Sequence, residues 1–195
     1  MGRLQAQLQF LTEIDKMKDV FRRNVTIKAR RPENDAEHSW HMALCALVLA
    51  EYAPPGADVG RAIAMALVHD LVEVYAGDTF CYDQAGNATK AAREQAAADR
   101  IFGMLPADQG TAYRALWEEF DAMDTPDSQF AAAVDRLQPF ILNVNTQGHT
   151  WRLGKITRAQ LENRLAPIAK WMPALWPTVS AMIDEAVQQD LLPGG

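Results

Sequence analysis

Apolar residues recur at helical spacing along almost the whole chain, and strict apolar–polar alternation is nearly absent, so the pattern predicts helices and no sheet. Leu4, Leu8, Leu11, Ile14 and Met17 define one stripe, expected to be buried, on a first helix from Leu4 to Lys18. From Asp19 to Glu33 no period is visible, and Arg31-Pro32 disfavours α conformation before the proline, so an irregular loop is expected. Asn34 or Asp35 can cap a second helix reaching about Tyr52, where Pro54-Pro55-Gly56 stops it. A third, from about Val59 through Tyr75, is apolar on nearly every side, as a central buried helix is, and Gly77 ends it.

Beyond a polar loop from Cys81 to Asn87, a helix is predicted from about Ala88 to Met104. Pro106 opens another, which includes Trp117 and Phe120, and Pro126 opens a long apolar one. Two more are expected, over Thr157 to Met172 and Pro173 to Leu191, the second with Trp176, Val179, Ile183 and Val187 at helical spacing. No repeat, low-complexity segment or linker interrupts this series. The expectation is an all-α fold forming one domain over residues 1–195.

Composition narrows the setting. Hydrophobic residues make up 49% of the chain, with alanine abundant, which favours helix. Two cysteines, Cys45 and Cys81, are too few for a disulfide-stapled secreted scaffold, so a reducing cytoplasm is expected. Cys45 sits in an alanine and leucine run and reads as core. No stretch approaches the about 18 apolar residues that span a bilayer, and the amphipathic N-terminus lacks a signal-peptide layout, so no membrane partner is expected. The net charge of -6 argues against general nucleic-acid binding. Yet Lys16, Lys18, Arg22, Arg23, Lys28, Arg30 and Arg31 face a single acid, Asp19, across the segment from Lys16 to Arg31. Such a stretch is by default a solvated surface, but beside a metal it suits a small anionic substrate.

The chemistry centres on His69-Asp70, set in the apolar run AIAMALVHDLVEV, with His38 upstream and Asp135 far downstream in AAAVDRLQPFILN. Imidazoles and carboxylates among alanines, valines and leucines are unfavourable unless something neutralises and coordinates them, and a divalent metal does both. His38, His69, Asp70 and Asp135 are therefore the expected ligands of one ion. The donor set suits Mn, Fe, Co, Ni or Zn, with Mg also considered, and an octahedral shell would keep two positions open for chemistry. The competing reading, a buried salt-bridge network, would draw on Arg136 and Arg93. Glu73 shares a helical face with His69 and Asp70, and Asp78 lies just beyond Gly77. These two acids are the expected catalytic pair, one for the attacking water and one for the substrate or leaving alkoxide, their roles unassigned. Arg22 is the expected bidentate phosphate contact and Lys18 a point charge for the same group. His41, three residues after His38, reads as packing or orienting rather than ligating, and His149 has no evident partner.

The arrangement H38...H69-D70...D135 resembles the HD-domain metal-dependent phosphohydrolase superfamily. ENDAEHSWHMA, HDLVEVYAGD and VDRLQP are similar to the small single-domain branch that includes the 5'-deoxynucleotidases, over about Lys18 to Asn143. The resemblance implies a helical HD fold and one divalent ion on His38, His69, Asp70 and Asp135. It implies hydrolysis of a deoxynucleoside 5'-monophosphate to nucleoside and phosphate, with Glu73 and Asp78 at the catalytic and substrate-binding acids and Arg22 at a phosphate or nucleotide contact. It implies a homodimer, which would suit the Trp and Leu of the last helices. The chain departs from the branch at Arg23, where an aromatic residue able to crowd a ribose 2'-hydroxyl often stands, so a ribonucleotide or another phosphoester stays in view. A two-metal oxygenase or phosphodiesterase would need further histidines between Asp70 and Asp135, and that span has none. A non-catalytic nucleotide- or metal-binding regulator is the alternative from another class, and the two acids beside an open metal position speak against it.

Overall fold

In the computed structural model, which describes residues 2–192, three helices meet where the predicted ligands converge. Helix α1 (Arg3–Glu13) runs into a 3-10 segment over Ile14–Asp19, and a hairpin of β1 (Phe21–Val25) and β2 (Pro32–Asn34) follows. Then come α2 (Asp35–Val48), a 3-10 turn (Ala50–Tyr52), α3 (Val59–Val68), the short α4 (Glu73–Ala76), α5 (Gln84–Phe102) and α6 (Ala107–Ala122). The series closes with α7 (Pro126–Asn145), α8 (His149–Leu153), α9 (Arg158–Trp171) and α10 (Trp176–Gln188). The all-α expectation is correct, since the only sheet among the described residues is that two-stranded hairpin. Met1 and residues 193–195 of the expected 1–195 domain lie outside the described residues.

Helices α2, α3 and α7 pack on one another, and α9 covers α7. Met42, Met65, Phe130, Phe140, Leu165, Ile168 and Ile183 fill the core between them. A second cluster, with Phe10, Met17, Val68, Leu71, Val72, Ile101, Phe102 and Trp117, lies under α1 and α5. Asn34 caps α2 as expected: its side chain accepts from Glu37 N at 2.9 Å while Glu37 accepts from Asn34 N at 3.2 Å, satisfying two orphan donors reciprocally. That cap fixes His38 in the first turn of α2. No described helix is long and apolar enough to cross a membrane.

Three expectations need correction, and one helix appears where none was expected. The segment predicted as irregular is the hairpin: Arg30, at φ 56°, donates its N–H to Thr26 O at 3.0 Å while Thr26 N–H donates to Arg31 O at 2.9 Å, closing a turn that lacks the usual Asn-Gly or Asp-Gly signal. The stripe on α1 is not buried, because Leu4, Leu8 and Leu11 are 68%, 54% and 58% exposed. The helix docks through its other side, with Phe10 against Tyr113, an Arg3–Asp108 ion pair and a Gln7–Gln109 hydrogen bond to α6. The third helix does not run unbroken to Tyr75. It gives way after Val68 to i→i+3 bonding, from Leu71 N to Val68 O and Glu73 N to Asp70 O, with no glycine or proline to signal the break. Finally, α8 forms from a segment that carried no helical pattern.

Gly77 ends α4 at φ 73°, ψ 148°, a conformation open essentially to glycine alone. No atom lies within 4 Å of where a Cβ would sit, so the restriction is in the backbone alone. Gly77→Ala is expected to lower unfolding free energy by about 1–3 kcal/mol in urea titrations despite the open space, whereas Gly56→Ala, in an exposed turn, should leave the centre's metal affinity unchanged.

Candidate metal centre

The packing of α2, α3 and α7 brings His38, His69, Asp70 and Asp135 to one point. His38 Nε2 lies 3.1 Å from Asp135 Oδ1 and 3.8 Å from Asp70 Oδ2. His69 Nε2 lies 3.2 Å from Asp70 Oδ1 and 3.7 Å from Asp135 Oδ1, yet it makes no hydrogen bond of acceptable geometry and is buried. His38, His69 and Asp135 each offer a ligand atom within 4.8 Å of the others. Asp70 faces the same point while its Oδ2 accepts from Arg22 Nη1 at 2.8 Å. Pro139, one turn after Asp135, has no N–H to give the Asp135 carbonyl, yet α7 continues unbroken past it.

The outer nitrogens decide which lone pairs face inward. His38 Nδ1 donates to Gln138 Oε1 at 2.8 Å, and the Gln138 amide is oriented in turn by donating to Glu33 Oε1 at 2.7 Å and to His41 Nδ1 at 3.0 Å. His69 Nδ1 donates to the Ala66 carbonyl at 3.0 Å. Both imidazoles therefore carry the proton on Nδ1 and turn Nε2 toward the carboxylates, the arrangement that suits metal ligation. The residues fit a divalent ion: two Nε2 lone pairs, one of them orphaned, and two buried carboxylates. Gln138 and Glu33 were missed in the sequence because their role depends on a hairpin that carried no strand pattern.

Electrostatics sorts the acids into two sets. Burial opposes charge on Asp70 and Asp135, but His69 and Arg22 hold Asp70 below the usual carboxylate range, and His38, His69 and Arg164 do the same for Asp135. Asp35, Glu73 and Asp78 form a neighbouring triad, with carboxylate oxygens within 4.8 Å of one another. Burial and the charges of Asp70 and Asp35 push Glu73 well above its ordinary value, and burial with Asp70 pushes Asp35 up to about 6. Burial also raises Asp78, against the pull of Arg22. Arg22 sits amid these acids, 3.2 Å from Asp35 and 3.9 Å from Glu33 as well as on Asp70.

A cavity of about 360 Å³ opens onto the centre, and His69, Asp70, Asp135, Glu73, Asp78 and Arg22 all line it. Arg22, Arg23 and Asn24 are consecutive on β1 and all three line it, which a regular pleat forbids. The strand is irregular here: Phe21 pairs with Asn34 and Val25 with Pro32, so β1 holds extra residues between the two pairings. Arg93, a candidate partner for the ligands in the salt-bridge reading, instead braces the loop after α4 through Ala76 O, Thr79 and Gly86 O. Lys18 is not among the residues lining the cavity; it is exposed and paired with Asp15. The basic run from Lys16 to Arg31 is thus mostly surface, with Arg22 and Arg23 alone lining the cavity. The other basic lining residues, Lys90, Arg136 and Arg164, come from three separate helices and left no local signal in the sequence. His149 is exposed and is not among the residues lining the cavity.

The fold and this donor set are those of the metal-dependent phosphohydrolases of the HD type. The chain belongs to the HD domain family, whose model matches residues 14–176. It is 46% identical to a predicted metal-dependent phosphohydrolase from Magnetospirillum magnetotacticum MS-1, whose crystal structure superposes with a TM-score of 0.93 over 97% of this chain and 95% of that one. A protein from Pyrococcus horikoshii OT3, PH0347, shares the fold at 21% identity, with a TM-score of 0.65 over 90% of this chain and 99% of that one. Human 5'-deoxynucleotidase HDDC2 is 30% identical over 132 residues, 67% of this chain, and the chain spans 63% of that relative's length. The zebrafish (Danio rerio) protein of the same name is 30% identical over 135 residues, 69% of this chain and 66% of its own length.

Without a metal, a proton takes its place on His69. Burial alone would keep the ring neutral, but Asp70 and Asp135 outweigh it and raise the pKa from 6.5 to about 10. The folded chain then holds a proton that the unfolded chain has released, so this contribution to stability is complete below about pH 6.5 and is lost as pH rises to about 10. Thermal unfolding of metal-stripped protein is expected to show a falling Tm across that window. Excess divalent metal should abolish the fall by occupying Nε2, and a Tm that declines equally with and without metal would contradict His69 as a ligand.

Proposed function

We propose that the protein is a single-domain phosphomonoester hydrolase that uses one divalent ion on His38, His69, Asp70 and Asp135 to cleave (deoxy)nucleoside 5'-monophosphates into nucleoside and phosphate. The observation that carries this reading is the orphaned, buried His69 Nε2 beside two low-pKa carboxylates at the wall of an accessible cavity. The likeness to the deoxynucleotidases supports the nucleotide, as do the partly buried aromatic residues Tyr82 and Phe120 in the cavity lining, which can pack against a base. An ion at these donors supplies a Lewis acid that makes water a competent nucleophile near neutral pH.

The chain's own acids divide the remaining work. Glu73, held protonated by burial and neighbouring charge, donates its proton to the leaving 5'-oxygen as the P–O bond breaks. Asp78, less buried and facing the same cavity, receives the proton lost by the attacking water. Arg22 keeps the acids compact by countering Asp70 and Asp35 rather than standing free for substrate. Arg23 stacks its guanidinium 4.5 Å over Phe80, so the position that would crowd a 2'-hydroxyl is flat and cationic, and ribonucleotides are expected to be accepted alongside deoxyribonucleotides.

The reading is tested by phosphate release from a panel of deoxy- and ribonucleoside 5'-monophosphates after metal removal and re-addition of Mn, Co, Mg or Zn singly. Metal-dependent release is expected, abolished by Asp70→Ala. Glu73→Gln should keep its metal and lose about 10²–10⁴-fold in kcat, whereas a binding module would lose little on the same change. Release from no nucleotide under any metal would refute the proposal.

We infer in addition a cytoplasmic homodimer, supported by the free thiols of Cys45 and Cys81 and by an exposed apolar face on α2 formed by Trp40 (61%), Leu47 (58%) and Val48 (72%). The last helices, expected to supply that surface, bury Val179, Ile183 and Ala186 in the core. Sedimentation should give a dimer that Leu47→Glu with Val48→Glu converts to monomer.

A further inference from the structure

Five basic side chains line the cavity, and their existing partners separate them. The charge of Arg22 is matched by three acids, Asp70 and Asp35 through Nη1 and Glu33 at 3.9 Å from an Nε that makes no hydrogen bond. Lys90 is paired with Glu94 at 3.2 Å, and Arg23 lies over the Phe80 ring. Arg136 and Arg164 differ. Both reach the same atom, Asp135 Oδ2, at 3.4 and 3.3 Å, and that carboxylate is already committed through Oδ1 to the two imidazoles. Asp121 also lines the cavity, but among the described residues no ion pair joins it to either arginine. Two cations thus share one half of one carboxylate.

Their fixation also differs from that of a surface pair. Arg136 is anchored on α7 by donating to the Ala132 carbonyl at 2.7 Å and to the Met123 sulfur at 3.4 Å, with its side chain 12% exposed. Arg164 comes from α9, has a side chain 33% exposed, and makes its one side-chain hydrogen bond among the described residues from Nη2 to Asp135 Oδ2, which leaves most of its five N–H donors uncommitted at the cavity wall. An adjoining cleft of about 330 Å³ shares Cys81, Tyr82, Arg136 and Arg164 with the main cavity. The two arginines therefore stand between the outer cleft and the histidine–aspartate centre.

We propose that Arg136 and Arg164 form the phosphoryl-binding subsite, gripping the non-bridging oxygens of a phosphate monoester whose phosphorus lies at the histidine–aspartate centre. This rests on the phosphoester reading above and moves the phosphate clamp from Arg22 and Lys18 to a pair contributed by α7 and α9. Guanidinium forks suit a tetrahedral oxyanion because they donate in parallel at fixed spacing, and a partly desolvated pair with excess charge gains most from such a ligand.

The test is calorimetric titration of inorganic phosphate into the metal-loaded protein, its metal content measured in parallel, for wild type, Arg164→Gln, Arg164→Lys, Arg136→Gln and, as a control on the same helix, Arg158→Gln. Arg158 pairs at the surface with Glu162 and Asp184. Loss of charge-assisted hydrogen bonds predicts a phosphate Kd raised about tenfold or more in Arg164→Gln and Arg136→Gln, with metal content unchanged. Arg164→Lys should fall between, and Arg158→Gln should match wild type. Unchanged phosphate binding in both glutamine variants, or a parallel loss of metal that marks the arginines as mere supports of Asp135, would overturn the proposal. So would wild-type protein that binds no phosphate. Phosphate binding that weakens as expected in a protein that hydrolyses no nucleotide would keep the subsite and refute the nucleotidase reading instead.

Discussion

An ionised carboxylate in the middle of an apolar helix is tolerated where positive charge meets both of its oxygens, and Asp135 is held in that way. Only 7% exposed, it turns Oδ1 to His38 and His69 and Oδ2 to Arg136 and Arg164. Arg136 belongs to α7 itself, and each of the other three contacts brings a different element to that helix. The end of α3 arrives with His69, the first turn of α2 with His38, and α9 with Arg164. The helices that pack most closely are the ones that carry these charges, so neutralising Asp135 and closing the core are one requirement. Past the break after Val68, Leu71 and Val72 join Val68 in the second apolar cluster while His69 turns its Nε2 to Asp70 and Asp135.

Neighbouring carboxylates are driven in opposite directions by their surroundings. Contact with imidazole and guanidinium keeps Asp70 and Asp135 anionic, as metal donors must be. A few ångströms away, burial and mutual repulsion raise Asp35, Glu73 and Asp78. Pairs of titratable groups whose environments split them apart are the physical basis for separating donors from proton carriers on one small site. Arg22 lies on the boundary, touching Asp70 on one side and Asp35 on the other, and so limits how far either set moves.

The residues that gather at the candidate centre stood out in the sequence because burying them is costly, and costly residues are conspicuous against an apolar background. His69-Asp70 and Asp135 are polar interruptions in runs of alanine, valine and leucine, and the cap at Asn34 located His38 on its helix. Residues whose value comes from distant partners gave no such signal. Arg136 and Arg164 are ordinary helical arginines until α7 and α9 pack, and Glu33 acquires its role when β2 forms and Gln138 reaches it. The leucine stripe on α1 misled for a related reason. Periodicity reports which residues share a face, and the contacts of Phe10, Arg3 and Gln7 with α6 determined which face went down.

The irregularity in β1 has a consequence for how this segment tolerates change in length. In an ordinary hairpin, extra residues are best absorbed in the turn and least welcome in the strand. Here the additional residues between Phe21 and Val25 are what let Arg22, Arg23 and Asn24 face the cavity together while Glu33, across the ladder, steadies Gln138. A deletion that restored perfect pairing would improve the ladder and turn part of that trio toward solvent. Better local hydrogen bonding would then come with a cavity that has lost part of its basic wall, so regularity at this hairpin and the shape of the cavity pull in opposite directions.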